Sequence, residues 1–153
     1  MKIYNVKDKQ QYIEEIARLS KLEWAEYSSE EELNQKIQQT IKKIKNNLDN
    51  PYYCKLMLLE DNNLIGFISL FETDGDEYQE LKPWYATMYV KKEYRGKGYS
   101  KILNDAILKE AKKRGFKKIY LKSDLKNYYE KFGAIYMNEL KNGEKLYYIN
   151  LED

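Results

Sequence analysis

The segment spanning residues 84–122 constrains the fold of this chain more than any other part of it. A β-rich run at residues 84–90 leads into a basic loop with two glycines, and a helical pattern then runs over residues 99–114. Gly115 ends that pattern, and a second β-rich run follows at residues 118–122. A strand, a helix and a strand in succession predict a parallel pair joined by a right-handed crossover.

Strand and helix patterns on both sides of this unit extend it into a larger sheet. Hairpin turn chemistry at residues 61–63 and at Asn142-Gly143 separates strands that should pair antiparallel. The predicted fold is therefore α/β (α+β), with a mixed, mostly antiparallel sheet of six to seven strands, a central parallel pair and helices on both faces. Helices are predicted at residues 13–22, 33–48 and 125–132, and further strands at residues 3–6, 53–59, 64–71, 135–140 and 144–151.

Length and composition limit the architecture and the chemistry. A chain of 153 residues with 42% apolar residues can build one core without a disulfide or a metal, so we expect a single domain over residues 1–153. With no histidine and with Cys54 as the sole cysteine, the ordinary His/Cys metal sites and the Ser-His-Asp and Cys-His nucleophile pairs are excluded, and no metal is expected. No run approaches the roughly 20 apolar residues of a membrane span, and the first residues lack the apolar region of a secretion signal. We expect a cytoplasmic protein with no membrane partner.

Acidic and basic residues are separated along the chain. Residues 60–80 contain seven acids and no Lys or Arg, whereas residues 91–126 contain thirteen Lys or Arg against four acids. Most of these charges are those of a solvated face, but one part of the surface should attract cations and another anions. The basic residues are interleaved with acids along a helical pattern and carry no recognised nucleic-acid motif, so no nucleic-acid partner is expected.

The basic loop has the features of an anion site. It lies directly between a strand and a helix, where backbone N–H groups and the positive end of the helix dipole favour negative charge. Gly96 and Gly98 lack a Cβ, so they allow positive φ or close approach of a pyrophosphate, while Arg95, Lys97 and Lys101 add positive charge. The loop therefore predicts a ligand that bears phosphate.

Two common phosphate-binding patterns fit this loop poorly. The P-loop pattern, Gly-x-x-x-x-Gly-Lys-Ser/Thr, is absent. The dinucleotide fingerprint, Gly-x-Gly-x-x-Gly, is met by Gly96 and Gly98, and Asp124 lies at the end of the next strand. However, Lys101 stands where the third glycine belongs, and only one helix separates the parallel strands. The dinucleotide fold is accordingly a minor alternative.

A third pattern, Gln/Arg-x-x-Gly-x-Gly/Ala, is met at its first two positions by Arg95 and Gly98, with Ser100 at the third. In this the sequence resembles the GCN5-related N-acetyltransferase (GNAT) superfamily, and Pro83-Trp84 resembles the opening of the fourth strand in small bacterial members that share no agreed acceptor. Ser100 departs from the usual Gly/Ala but is small, and its hydroxyl adds a donor. The resemblance implies acetyl-CoA as co-substrate, with its pyrophosphate held by Arg95, Gly96, Lys97, Gly98, Tyr99, Ser100 and Lys101.

The resemblance extends to both sides of the loop. Met88, Tyr89 and Val90 are similar to the strand whose backbone binds the pantetheine and polarises the thioester carbonyl. Residues 128–133 are similar to the family's Phe-Tyr-x-Lys-x-Gly helix, which implies that Tyr129 is the general acid that protonates the departing thiolate. The chain has sixteen tyrosines, most of them expected to serve packing, and Tyr128 is a natural control because neighbouring helix positions point about 100° apart.

The base and the acceptor pocket are less constrained. An alkyl ammonium near pKa 10 must lose a proton before attack. The family often uses a Glu near the fourth strand, but residues 84–90 contain no acid, so Glu72 is the candidate base, with Glu80 next and a water chain as an equal alternative. An acidic loop could draw in a cationic amine by its field. Candidate acceptor-binding residues are Trp84, Trp24 and Glu80, with core packing as the alternative for both tryptophans.

The sequence thus predicts an N-acetyltransferase that moves the acetyl group of acetyl-CoA to a primary amine of a small molecule or peptide by direct attack in a ternary complex. The alternative is a non-catalytic sensor that binds CoA or acyl-CoA, which the absence of an acid at residues 84–90 favours. The sequence leaves open the acceptor, the length of the acyl chain, and whether the protein is a monomer or a homodimer.

Overall fold

The computed structural model describes residues 1–152, and Asp153, the last residue of the expected domain, lies outside them. The described part is a seven-stranded sheet flanked by three α-helices. The strands are β1 (Lys2–Asn5), β2 (Cys54–Glu60), β3 (Asn63–Phe71), β4 (Trp84–Val90), β5 (Lys118–Ser123), β6 (Ala134–Glu139) and β7 (Lys145–Asn150). The helices are α1 (Ile13–Trp24), α2 (Glu30–Asn47) and α3 (Tyr99–Lys113), with short 3₁₀ turns at Val6–Asp8, Gln10–Tyr12, Lys92–Tyr94 and Tyr129–Phe132.

The sheet order is β1-β2-β3-β4-β5-β7-β6, and within residues 1–152 the β4–β5 pair alone is parallel. This confirms the predicted mixed sheet with a central parallel pair. None of the helices in the described chain is both long and apolar enough to cross a membrane.

Helices cover both faces of the sheet, which explains why its central strands read as nearly continuous apolar runs. Alternate residues of β2 point to opposite faces, so Leu56 and Leu58 pack with α3 while Met57 and Leu59 pack with α1 and α2. All four side chains are buried. The two cores fix β2, β3 and β4 as a rigid centre on which the candidate site is built.

The parallel strands β4 and β5 pair at one end only and then diverge, and the gap between them is here called the fork. Trp84 and Tyr120 are in register, and the Tyr120 N–H donates to the carbonyl oxygen of Pro83 at 3.0 Å. No further β4–β5 pair in the described chain is in register, so the two strands separate beyond Trp84. Backbone groups on that side of β4 are therefore left without a strand partner.

Strand β4 carries a bulge within the opened region. Ser69 pairs with Ala86 and Phe67 pairs with Tyr89, so two residues of β4, Thr87 and Met88, stand opposite one residue of β3. Thr87 has φ of 52°, a left-handed conformation that is rare for a β-branched residue. A bulge of this kind bends the strand and re-aims its side chains.

Two local predictions require correction. The helix expected at residues 125–132 is reduced to the 3₁₀ turn Tyr129–Phe132, because Asn127 has φ of 57° and interrupts the preceding turn. The two-residue hairpin expected at Asn142-Gly143 is longer, since the Leu140 N–H donates to the Glu144 carbonyl and the Gly143 N–H donates back to the Leu140 carbonyl. Gly143, at φ of 92°, supplies the left-handed residue that such longer hairpins need.

Candidate active site between two diverging strands

The loop that leads from β4 into α3 is shaped by two glycines. Gly96 and Gly98 have φ of 78° and 85°, conformations that L side chains rarely adopt. Gly98 is also the residue that precedes the first turn of α3, and it has no side chain to cap that turn. The first N–H groups of α3 are thus available to a ligand, together with the positive end of the helix dipole.

These N–H groups border a cavity of about 580 Å³, here called the first cavity, which lies between β4 and the segment that follows β5. Most of the predicted cofactor-binding residues line it, namely Met88, Tyr89, Val90, Arg95, Gly96, Gly98, Tyr99 and Ser100. The residues that sequence reasoning did not assign to this wall are Glu23, Trp24, Tyr94, Leu125, Tyr128, Tyr129 and Lys131. The first cavity therefore joins the end of α1, β4, the start of α3 and the segment after β5.

Two of the predicted cofactor ligands lie outside this wall. The Lys97 ammonium lies over the ring of Tyr94, 5.9 Å from its centroid. The Lys101 ammonium is 2.8 Å from the carboxylate of Asp105, one helical turn along α3. Both lysines are exposed, so their side chains add positive charge near the loop without lining the cavity.

Arg95 is folded against β4. Its Nε–H donates to the Val90 carbonyl at 2.7 Å, its guanidinium lies 5.5 Å from the Tyr89 ring centroid, and its Nη2 is 3.8 Å from a carboxylate oxygen of Glu23. Arg95 thereby ties the loop to β4 and to the end of α1. Its side chain orders the cavity wall as well as contributing charge.

A further cavity, of about 670 Å³ and here called the second cavity, adjoins the first and is lined by residues of both β4 and β5. Trp24, Met88 and Tyr129 line both cavities, so these three residues mark where the cavities meet. The remaining residues of its wall are Phe71, Asp74, Tyr85, Ala86, Thr87, Leu121, Lys122 and Glu144. Two acids and one lysine face this cavity, and Lys122 is already 3.6 Å from Asp74. The second cavity thus has an acidic wall and a route to Tyr129.

Tyr129 is held at this junction by aromatic packing. Its ring contacts the ring of Tyr85 edge-on, with 5.9 Å between centroids. Burial, and then the neighbouring Tyr128, raise the pKa of the Tyr129 hydroxyl above its usual value. The hydroxyl therefore stays protonated across the physiological range and can donate a proton at the junction.

Tyr128 lies closer to the site than the helical argument predicted. The rings of Tyr128 and Tyr129 are 4.8 Å apart and both line the first cavity, because the chain here is an irregular turn and the 100° rule of an α-helix does not apply. Only Tyr129 of the pair also lines the second cavity. Lys131, which belongs to the same sequence pattern, lies over the Tyr128 ring at 4.1 Å.

The residues predicted to bind the acceptor or remove its proton are less closely grouped. Trp84 is buried in a core cluster with Leu140 and Leu146, and its indole N–H donates to the Leu81 carbonyl at 2.7 Å, so its side chain is part of the core and lines neither cavity. Trp24, by contrast, is half-exposed, lines both cavities and meets the Tyr89 ring edge-on. Glu80 is exposed and lies outside both walls.

Glu72, the predicted base, immediately follows β3. Its carboxylate is 3.0 Å from the Lys82 ammonium and accepts a hydrogen bond from Asn50 at 3.4 Å. These two partners hold the pKa of Glu72 below its usual value. The carboxylate lines neither cavity, so the structure does not bring it together with Tyr129.

Solved structures of N-acetyltransferases share this fold over the whole chain. The PaiA N-acetyltransferase from Thermoplasma acidophilum, solved in complex with coenzyme A, is 24% identical, with a TM-score of 0.67 and coverage of 98% of this chain and 99% of its own. The aminoglycoside 6'-N-acetyltransferase from Enterococcus faecium is 16% identical, with a TM-score of 0.72 and coverage of 100% and 98%. A variant of the spermidine N-acetyltransferase from Vibrio cholerae is 18% identical, with a TM-score of 0.71 and coverage of 99% and 95%. The fold is that of the N-acetyltransferases.

The model of the acetyltransferase (GNAT) family matches residues 13–134, from the start of α1 to the first residue of β6. That match includes the fork, the glycine loop and Tyr129. The chain belongs to this family. A search of curated sequences gave no significant match.

Proposed function

We propose that this protein is an acetyl-CoA-dependent N-acyltransferase that transfers an acetyl group to a primary amine of a small molecule or peptide. The observation that carries the proposal is the meeting of two cavities at Tyr129 and Met88, in the fork between β4 and β5 of an acetyltransferase-family chain. One cavity suits a phosphate-bearing cofactor and the other suits a cation.

The first cavity would take acetyl-CoA. The N–H groups at the start of α3 would hold the pyrophosphate, with Gly96 and Gly98 giving it access to the main chain. The backbone edge of Met88, Tyr89 and Val90, in which the Val90 carbonyl already accepts from Arg95, would bind the extended pantetheine through its remaining groups and orient the thioester toward the junction. This placement puts the acetyl group beside Tyr129.

The second cavity would take the amine. Asp74, Lys122 and Glu144 face it, and because Lys122 pairs with Asp74, Glu144 leaves the wall with a net negative charge that raises the local concentration of a cationic substrate. Two of the solved structures that share this fold are named for acetylation of spermidine or of an aminoglycoside, which makes such multiply charged amines the first acceptors to test. Trp24, half-exposed at the mouth of both cavities, would cover the bound amine.

The chemistry follows from this arrangement. The neutral amine attacks the thioester carbonyl within the ternary complex, a C–N bond forms, the C–S bond breaks, and the amine nitrogen gives up one proton to a base. Tyr129 gives its proton to the departing thiolate, because a thiolate leaves more readily when it is protonated as the bond breaks. The raised pKa keeps that proton in place until it is needed.

A sensor that binds CoA without catalysis is the second candidate. One observation favours it, namely that β4 contains no acid and that Glu72 lines neither cavity. The position of the Tyr129 hydroxyl group where the two cavities meet favours the enzyme, since cofactor binding alone makes no use of a proton donor there.

The two candidates separate in a thiol-release assay. Purified protein is mixed with acetyl-CoA and, in turn, spermidine, an aminoglycoside, an amino acid and a short peptide, while free thiol and the acetylated product are measured by absorbance and mass spectrometry. Release that depends on an acceptor and yields an acetylated amine supports the enzyme. Tight acetyl-CoA binding with no release from any amine in the panel contradicts it in favour of the sensor.

A further inference from the structure

A lysine is buried beside the candidate site without a carboxylate to pair with. Lys55 on β2 is 5% exposed and lies on the face covered by α1 and α2. Within residues 1–152 no carboxylate is within ion-pair distance of its ammonium. Burying an unpaired charge costs free energy, so an unpaired lysine is rare in a protein core. Where one is present, it often has a functional role.

The surroundings of Lys55 favour its neutral form. Its ammonium nitrogen lies 5.4 Å from the ring centroid of Phe67 and 5.7 Å from that of Phe71, both on β3. The groups that act on it electrostatically are Lys43 from α2, which repels a further positive charge, Cys54, which acts in the opposite direction, and Lys21 from α1, which also repels. Burial, reinforced by these lysines, lowers the pKa of Lys55 to about 7.

Two hydroxyl groups connect Lys55 to the second cavity. Lys55 Nζ donates to Ser69 Oγ on β3 at 2.6 Å, and Thr87 Oγ1 on β4 donates to the same Ser69 oxygen at 2.8 Å. When Lys55 is neutral, its lone pair can instead accept from the Ser69 hydroxyl across the same contact. Ser69 is fully buried, whereas Thr87 is partly exposed and lines the second cavity next to Met88. The chain of contacts runs from the core to the place proposed for the amine.

The bulge in β4 makes this connection. Ser69 pairs with Ala86, so in a regular strand Thr87 would point to the opposite face, toward α3. The left-handed conformation of Thr87, with φ of 52°, turns its hydroxyl back to Ser69 instead. Backbone strain at a β-branched residue persists only where the surrounding structure maintains it, and such positions cluster at functional sites.

We propose that Thr87 and Ser69 relay a proton from the attacking amine to Lys55, which acts as the proton acceptor of the acetyl transfer. This inference rests on the proposed function, and it assigns the base that β4 and Glu72 do not supply. Lys55 acts through the two hydroxyls and does not itself contact the amine.

The relay passes a proton through three acceptors in turn. The amine nitrogen gives a proton to Thr87 Oγ1, the Thr87 proton moves to Ser69 Oγ, and the Ser69 proton moves to the lone pair of neutral Lys55. The C–N bond forms and the C–S bond breaks, with the Tyr129 proton taken up by the thiolate. Turnover ends with a charged Lys55 and a deprotonated Tyr129, and both exchange protons with solvent once the products leave.

The first test measures the titration of Lys55 without using activity. The protein is labelled with ¹³C at lysine Cε and titrated by NMR, and the Lys55→Met variant assigns the resonance. The relay predicts that Lys55 titrates with a pKa of about 7. A Lys55 resonance that stays in its charged position up to pH 10 overturns the relay, whatever the enzyme acetylates.

The second test measures kcat and kcat/KM against pH with an acceptor that the wild-type protein acetylates. The relay predicts that kcat/KM rises with a midpoint that matches the NMR pKa of Lys55 in the free protein. Thr87→Val, which keeps the shape and removes the hydroxyl, should lower kcat by about 10²-fold and abolish that midpoint, with the acetyl-CoA Kd unchanged. Thr87→Ser, which keeps the hydroxyl, should preserve the midpoint, and Ser69→Ala should behave like Thr87→Val.

Two results would overturn the relay in an active enzyme. One is a Thr87→Val variant with the wild-type pH profile. The other is a Glu72→Gln variant that loses the midpoint while Thr87→Val retains it, since Glu72 would then be the base. A wild-type protein that acetylates none of the amines contradicts the proposed function itself, so that failure is seen before any variant is made.

Discussion

The ring of Tyr129 packs edge-on against the ring of Tyr85, with 5.9 Å between their centroids. Tyr85 is itself buried, and its hydroxyl donates to the side-chain oxygen of Asn104 on α3 at 2.6 Å. The segment that carries Tyr129 is irregular, so its position depends on this contact with the core. The candidate acid is thereby fixed relative to β4 and α3, the two elements that border the first cavity.

Replacing Tyr129 by Phe should lower kcat by about 10²-fold or more, the range typical of a lost general acid, while the acetyl-CoA Kd changes little. The hydroxyl is used only as the C–S bond breaks, so ground-state binding does not depend on it. Steady-state kinetics together with calorimetry measure both quantities. Because the Tyr129 pKa is raised, loss of this proton should not lower the wild-type rate until the pH exceeds about 10, the ordinary tyrosine value.

Tyr128→Phe is the matched control for that change. Tyr128 lines the first cavity only, so its loss should cost less in kcat than the loss of the Tyr129 hydroxyl. A larger kcat effect for Tyr128→Phe than for Tyr129→Phe would mean that the acid has been assigned to the wrong tyrosine.

Gly98→Val should abolish acetyl-CoA binding. At φ of 85° a valine is strained by roughly 1–3 kcal/mol, and its side chain would project where the pyrophosphate is proposed to approach the main chain. Gly115→Val is a matched control, because Gly115 has φ of 91°, and at neither glycine does a Cβ come within 4 Å of another residue. Thermal melts should show similar destabilisation of both variants, whereas calorimetry should show loss of binding in Gly98→Val alone. Tight binding by Gly98→Val would contradict the role of the loop.

Gly66→Ala should destabilise the protein and displace β4. A Cβ on Gly66 would lie 2.4 Å from the Tyr89 carbonyl oxygen and 3.2 Å from Val90 Cα, both of them backbone atoms that cannot rotate away. Overpacking of this kind costs about 1–3 kcal/mol or more. It would push β4, the strand proposed to bind the pantetheine, away from β3. Denaturant unfolding and calorimetry should therefore show lower stability and weaker acetyl-CoA binding together. Wild-type stability in Gly66→Ala would show that β3 and β4 do not approach this closely.

Lys55→Met should raise the free energy of unfolding at pH 7, because it removes an ammonium from the core. Folding lowers the Lys55 pKa from 10.5 to about 7, so between these values the unfolded chain binds more protons than the folded one, and wild-type stability rises with pH. The advantage of the methionine variant, on the order of a few kcal/mol at about 1.4 kcal/mol per pKa unit, should therefore shrink as the pH rises from 7 to 10. Denaturant titrations at several pH values measure the difference. A difference that does not vary with pH would show that Lys55 remains charged in the folded protein.

The sequence predicted the features of this protein that depend on local patterns. Apolar periodicity and turn residues located the seven strands and the three α-helices, since each pattern needs only its own segment. The single helix between residues 84–90 and 118–122 implied the parallel pair. The spacing of Arg95, Gly98 and Ser100 identified the loop that borders the first cavity.

The features that depend on contacts between distant residues could not be predicted in this way. The bulge at Thr87 and the close approach of β3 to β4 at Gly66 both depend on how the two strands pair, and neither strand shows them by itself. Lys55 lies on a strand that is buried on both faces, where period-two alternation does not tell a buried lysine from an exposed one. The position of Trp84 at the start of β4 follows from its neighbours along the chain. Its burial does not, because Leu140 and Leu146, which bury it, come more than 50 residues later.

The central claim is that acetyl-CoA binds in the first cavity, against β4 and the start of α3, and calorimetric titration of the wild-type protein with acetyl-CoA tests it most directly. We predict saturable binding of one molecule per chain, lost in Gly98→Val and retained in Gly115→Val. Absence of binding to the wild-type protein, or equal binding by the two glycine variants, would contradict the claim.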